Sequence, residues 1–360
     1  MISVNRLDAA FELLERFVGE GVPGAGLVVA ERGEIVGEHY TGMARPDRPA
    51  AADTLWPLAS ISKLYAAAAC MAVIEEGRIA LGTRVATIFP EFTQGGRDKI
   101  TLRHLLTHTS GLPYESEQMA DRLAAHLSLE ELLRESYEGD LLFAPGTNQA
   151  YSDYGIGLAG LMCATVMGMS FPDLVRSRVI DPGHLLDTFM PPPESEYHRI
   201  AHIEGPLAEG TDGAMYNSAH ARNLAHPAFG TIASARDLLR FGLFFDPNRE
   251  PTLFSRVATR VMITDQTGYD FPDAVTEPMS PAVRAWGIGF MLKGRMGFPE
   301  LVSPATFGHP GATGCMVLVD PTYDVAFAFV SNLHLNTGYD AWTDRLMMIT
   351  NVVMASMTRG

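Results

Sequence analysis

The sequence predicts a mixed α/β (α+β) chain. One antiparallel sheet is built from both ends of the sequence and flanked by the terminal helices, with a mostly helical domain inserted between its strands. Three observations carry that expectation. Runs of strand-like composition lie near the two ends, over 24–41 and 287–331. The interval between them reads as helices joined by polar loops. The composition, 47% hydrophobic and 19% charged over 360 residues, is ordinary globular usage and allows one large domain or two medium ones. The expected division is a sheet domain over 1–57 and 285–360 and a helical domain over 58–284.

In chain order, residues 3–19 place Leu7, Phe11, Leu14 and Val18 among Arg6, Asp8, Glu12, Glu15 and Arg16, an amphipathic surface helix. Gly24–Ala30 and Glu34–Thr41 read as strands of a hairpin turning at Arg32-Gly33. Residues 44–54 are a Pro-, Ala- and Asp-rich loop. The run from Leu64 towards Ile79 is apolar on nearly all sides and predicts a buried central helix. Ile100–Thr107 is a short helix stopped by Ser110-Gly111-Leu112-Pro113. Leu129–Ser136 is another, with Ser128 and Glu131 as a capping box. An apolar helix runs from about Gly155 to Met167, and Ser234 caps one reaching Phe245. Residues 181–228 lack periodicity, and loops of such length are often functional. Strands return at Gly287–Leu292, Thr306–His309, Cys315–Asp320 and Tyr323–Ser331, the last two joined at Pro321-Thr322. Asp340–Met357 is the closing helix.

Charge and composition exclude several classes. A net charge of −15 argues against nucleic acid and anionic membranes as partners. No apolar run reaches the ~18 residues of a membrane span. The first helix lacks the basic and apolar regions of a signal peptide, so a cytoplasmic location is expected. Cys70, Cys163 and Cys315, odd in number and each in an apolar context, read as buried thiols.

The stretch Ala59-Ser60-Ile61-Ser62-Lys63 heads the central helix. Residues three apart share a helix face, so Ser60 and Lys63 adjoin, with the positive end of the helix dipole behind the serine. A lysine there either takes the serine's proton or, if charged, supports another base. Only three lysines occur, Lys63, Lys99 and Lys293, so 24 of the 27 basic residues are arginine. Arginine cannot act as a base, which makes a lysine at a buried position informative.

Two further motifs follow in order: Tyr151-Ser152-Asp153 after the Pro145-Gly146-Thr147 turn, and His309-Pro310-Gly311 before a strand. The set resembles the serine β-lactamase and penicillin-binding-protein superfamily. Within it the chain is most similar to the class C-like branch, which holds class C β-lactamases, family VIII carboxylesterases, D-aminopeptidases and DD-peptidases. Supporting stretches are Asp53–Trp56, Leu105–Leu112, Phe143–Thr147, Tyr216–Ser218 and Trp286–Phe290. The resemblance implies a β-lactamase/transpeptidase-like fold and a serine hydrolase. Ser60 is then the nucleophile that forms an acyl-enzyme, and Lys63 and Tyr151 share the acid/base work. The N–H groups of Ser60 and Ala312 form the oxyanion hole, and Asp153, His309 and Gly311 meet the substrate. Two positions depart from the family pattern. Asp153 stands where asparagine is usual, and His309 where lysine usually binds the carboxylate of penicillins.

The expected activity is a carboxylesterase for small acyl esters. A D-amino-acid amidase or peptidase, a weak β-lactamase, an acyltransferase, or a silent scaffold keeping the fold are the alternatives. The partner is a small-molecule ester or amide; the acyl group, leaving group and oligomeric state are left open. No cofactor or metal is expected: His104 and His108 have zinc-chelating spacing, but no third ligand stands nearby in sequence.

Overall fold

The computed structural model describes residues 6–205, 212–251, 253–267, 285–293 and 299–358. The start of the first expected helix at residue 3, residues 206–211 of the long aperiodic stretch, and the end of the 58–284 interval lie outside them.

Among the described residues ten strands form two sheets: β1 (Gly24–Glu31), β2 (Glu34–Arg45), β3 (Arg48–Pro49), β4 (Trp56–Pro57), β5 (Thr188–Phe189), β6 (Ile232–Ala233), β7 (Met291–Leu292), β8 (Phe307–Gly311), β9 (Cys315–Asp320) and β10 (Val325–Ser331). The large sheet has the order β3-β2-β1-β10-β9-β8-β7. All its pairings are antiparallel, so the two ends of the chain meet in its middle, where Ala25 lies opposite Ser331. A three-stranded sheet, β4-β6-β5, ties residues 56–57 to the middle of the chain.

Each face of the large sheet is covered. On one, the terminal helices Asp8–Gly19 and Tyr339–Thr358 bury Leu14, Phe17, Ile349 and Val353 against Leu27, Phe327 and Phe329. On the other, the helix Ala235–Leu243 and the central helix Ser62–Glu75 share one apolar cluster with Val28, Ala328 and Val317. Tyr65 of the central helix stacks on Phe241 with ring centres 3.8 Å apart. The central helix is buried all round, as its sequence predicts, and Ala66–Ala69 let it lie close to the helix Asp153–Met167. Cys70, Cys163 and Cys315 are free and buried.

Several boundaries differ from the sequence reading. The expected strand Gly287–Leu292 shrinks to β7, because Gly289 adopts a φ of +83° and the Gly287 N–H folds back onto the Phe290 carbonyl. The helix expected from Gly155 starts at Asp153, since Ser152 caps it by accepting the Gly155 N–H. The capping box of Ser128 and Glu131 and the Ser234 cap form as expected.

Candidate active site

Residues Ala59–Ile61 make a single 3₁₀ turn that runs into the central helix, so Ser60 sits just ahead of the α-helical turns rather than within the first of them. The cause is Ala59, whose φ of +47° is left-handed, a conformation that costs a non-glycine residue on the order of 1–3 kcal/mol. The surroundings hold it there. The Leu58 N–H donates to the Thr231 carbonyl, and the Thr231 N–H donates to Ser62 Oγ at 2.8 Å. Ser62 is thereby a buried anchor, while Ser60 remains half-exposed.

Lys63 is fully buried. Its Nζ donates to Ser60 Oγ at 3.0 Å and to the Ala228 carbonyl at 3.1 Å, and it pairs with Asp153 Oδ1 at 2.8 Å. Tyr151 is a further hydrogen-bond partner, so the amine is ringed by oxygens and a neutral amine would turn its lone pair towards one of them. Burial pushes the Lys63 pKa down, but the Asp153 carboxylate and Tyr151 outweigh it, and the balance lies above the ordinary value. The Asp153 carboxylate beside it thus favours the protonated form of Lys63.

Tyr151 stands just before the cap of the helix Asp153–Met167, which sets Asp153 in its first turn. The Lys63 ammonium lies 4.7 Å from the centre of the Tyr151 ring. Burial raises the phenol's pKa, the Lys63 charge lowers it and Asp153 raises it again, leaving it above its ordinary value. Its hydroxyl is 3.4 Å from His309 Nε2. His309 Nδ1 lies 2.5 Å from the Pro310 carbonyl, which can only accept, so Nδ1 carries the hydrogen and Nε2 accepts. Burial and the Lys63 charge push His309 down to about 3, so the imidazole is neutral.

His309, Pro310 and Gly311 end β8. The chain turns over Ala312 and Thr313, closed by the Gly314 N–H to Gly311 carbonyl bond of 2.9 Å. Thr313 Oγ1 donates to the Pro57 carbonyl at 2.6 Å, tying this turn to the approach to Ser60. A Cβ on Gly311 would run into the Leu58 carbonyl oxygen, so glycine permits the close approach. Neither the Ser60 nor the Ala312 N–H has a carbonyl partner among the described residues.

All the residues singled out in the sequence thus converge: Ser60, Lys63, Tyr151, Asp153, His309, Gly311 and Ala312. The beta-lactamase family model matches residues 11–350. The chain belongs to the beta-lactamase family.

Relatives within the family place it more narrowly. It is 30% identical over 350 residues to esterase EstB of Burkholderia gladioli, covering 86% of this chain and 83% of that one. A solved family VIII carboxylesterase has a TM-score of 0.77 at 24% identity, with 97% of each chain covered. A penicillin-binding protein homologue from Caulobacter crescentus shares the fold with a TM-score of 0.77 at 24% identity, over 98% of this chain and 99% of its own. The chain is a hydrolase of the beta-lactamase family, on its esterase-like side.

Four features had no site role in the sequence reading. The Ala228 carbonyl and His226 come from the aperiodic stretch; His226 is buried, pushed down to about 3 by burial and Lys63, and accepts the Ala228 N–H at Nδ1. Trp286 closes the site edge-on to Tyr151 and His309. His108 lies against Tyr151. The spacing of His104 and His108 reflects other bonds: His104 Nδ1 accepts the Thr101 N–H and His108 Nδ1 accepts the Ser152 N–H. Among the described residues no group of three His, Cys, Asp or Glu is placed to hold a metal ion. The two arginines of 181–228 are engaged elsewhere, Arg199 with Asp187 and Glu196, and Arg222 with the Tyr216 carbonyl.

Proposed function

We propose that this family member is a carboxylesterase that cleaves small acyl esters through an acyl-Ser60 intermediate. The observation that carries this reading is the half-exposed Ser60 Oγ, held 3.0 Å from a lysine whose ammonium form Asp153 favours. With Lys63 an ammonium, Tyr151 is the base. Its phenolate takes the Ser60 proton as Oγ bonds to the ester carbonyl carbon. The N–H groups of Ser60 and Ala312 hold the oxyanion. Collapse expels the alcohol, which receives the proton from Tyr151. Water then attacks the acyl group, again giving its proton to Tyr151, which passes it on to the departing Ser60 oxygen. Lys63 supplies positive charge beside the phenolate throughout.

The charge of the site sets the substrate class. Lys63 and Asp153 cancel, and His309 is neutral where the family usually carries a lysine. A neutral or amine-bearing ester suits this site better than an anionic one. The likeness to esterase EstB favours an ester over a β-lactam.

The test is a substrate panel with intact-mass analysis after a fluorophosphonate. Neutral p-nitrophenyl esters should turn over faster than D-amino-acid p-nitroanilides or a chromogenic cephalosporin, and one adduct should form on Ser60. Ser60→Ala should lose activity by on the order of a thousandfold or more and take no adduct. Turnover at the wild-type rate in Ser60→Ala would sink the assignment.

A further inference from the structure

We infer that His108 is the positioning residue for Tyr151. The inference rests on reading Tyr151 as the base. His108 holds that tyrosine from three directions. The Ala150 N–H donates to the His108 carbonyl at 2.9 Å, on one side of Tyr151 in the chain. The Ser152 N–H donates to His108 Nδ1 at 3.0 Å, on the other side. The imidazole lies along the Tyr151 ring between these two bonds, with ring centres 4.5 Å apart and planes 29° from parallel. Trp286 stands perpendicular to the imidazole at 4.6 Å and braces its edge.

The arrangement works for one form of the imidazole only. Nδ1 must accept, so the hydrogen belongs on Nε2, and a protonated ring would set an N–H against the Ser152 N–H. Burial and the nearby Lys63 and His309 hold His108 far below its ordinary pKa, which keeps it in the accepting form. Its backbone is also committed, with a φ of +58° at a residue only 1% exposed. A buried residue with a strained backbone, whose carbonyl bonds one neighbour of a tyrosine and whose imidazole bonds the other, fixes where that tyrosine's oxygen sits. Among the described residues His108 has no hydrogen bond or ring contact with Ser60, and its closest ties to the site are those to Tyr151 and its two neighbours.

That path has its own signature. His108→Asn suits the positive φ and retains an acceptor near Nδ1, but removes the ring against Tyr151. The rate of Ser60 labelling by a fluorophosphonate, followed by mass, is measured for wild type, His108→Asn, Tyr151→Phe and the double variant. His108→Asn should slow labelling at least tenfold in the wild-type background and less than twofold in Tyr151→Phe. An equal factor in both backgrounds, or no loss in either, overturns the inference. If Tyr151→Phe alone labels at the wild-type rate, the reading of Tyr151 as base has failed instead. His108→Gly, which relieves the positive φ, runs the same cycle should the asparagine variant unfold.

Discussion

The carboxylate of Asp153 favours the charged form of Lys63 and, on the proposed mechanism, leaves the role of base to Tyr151. Asp153→Asn removes one cause that holds the Tyr151 phenol up. More phenolate then forms at a given pH, so the alkaline-rising limb of kcat/KM against pH should move to lower pH. The same change makes the site more positive and should improve an anionic ester selectively over neutral and cationic ones. An unchanged profile with an unchanged ranking of the three esters would show that Asp153 does not govern the site's electrostatics. Lys63→Arg retains the charge but not the fit, since a planar fork cannot aim three protons at Ser60 Oγ, Asp153 and the Ala228 carbonyl from a fully buried position. Esterase activity should fall more than tenfold, a loss above ~1.4 kcal/mol; a variant retaining more would show that positive charge alone suffices. Residue identities carried much of this in the sequence, because a rare lysine and two off-pattern motif positions are visible without coordinates. The Ala228 carbonyl was invisible there, since a backbone oxygen has no residue type to betray it.

At the scale of elements, the site is a junction between the 3₁₀ turn at Ala59–Ile61 and the turn after β8. Gly311 sets their spacing. Gly311→Ala would press a methyl on the Leu58 carbonyl and push the Ala312 N–H away from Ser60. Removing one oxyanion donor costs roughly 100–1,000-fold in other acyl-transfer enzymes. We expect a loss of about 100-fold in kcat, with a melting temperature close to wild type, checked by ester kinetics beside thermal unfolding. A variant as active as wild type would show that this approach is not needed. Long elements were legible because each is an extended apolar or strand-forming run bounded by turn residues: the central helix, the closing helix and β1, β2, β9 and β10 all announce themselves. The second sheet was not, for β4, β5 and β6 have two residues each and leave no alternation to read. The same holds for the Ala59–Ile61 turn, whose left-handed alanine no propensity favours.

For the whole molecule, burial of imidazoles makes the fold sensitive to acid. His226 and His309 are pushed down to about 3 and His334 to about 4, and His108 lies far below its ordinary value, all chiefly by burial. Their folded pKa values lie below the unfolded value of about 6.5. The stability they contribute is therefore present above pH 6.5 and lost as pH falls towards 3–4, since the unfolded chain binds protons the native one refuses. Each costs roughly a tenfold drop in the folding constant per pH unit below about 6. Urea midpoints measured from pH 8 to 5 should fall steeply on the acid side, and a flat profile would contradict neutral burial of these rings. His108, His226 and His309 surround Lys63 from distant parts of the sequence, which is why no local pattern foretold the cluster. The joining of the two chain ends in one sheet was legible, because strand-like runs sat at both of them. That joining has a consequence in time. The strand partnering β1 at Ala25 ends at Ser331, so during synthesis one edge of β1 stays bare for on the order of tens of seconds. The turn bearing Ala312 also leaves the ribosome late, long after Ser60. On the proposed mechanism a nascent chain carries its serine without the second oxyanion donor, and hydrolysis would wait until the final strands have docked.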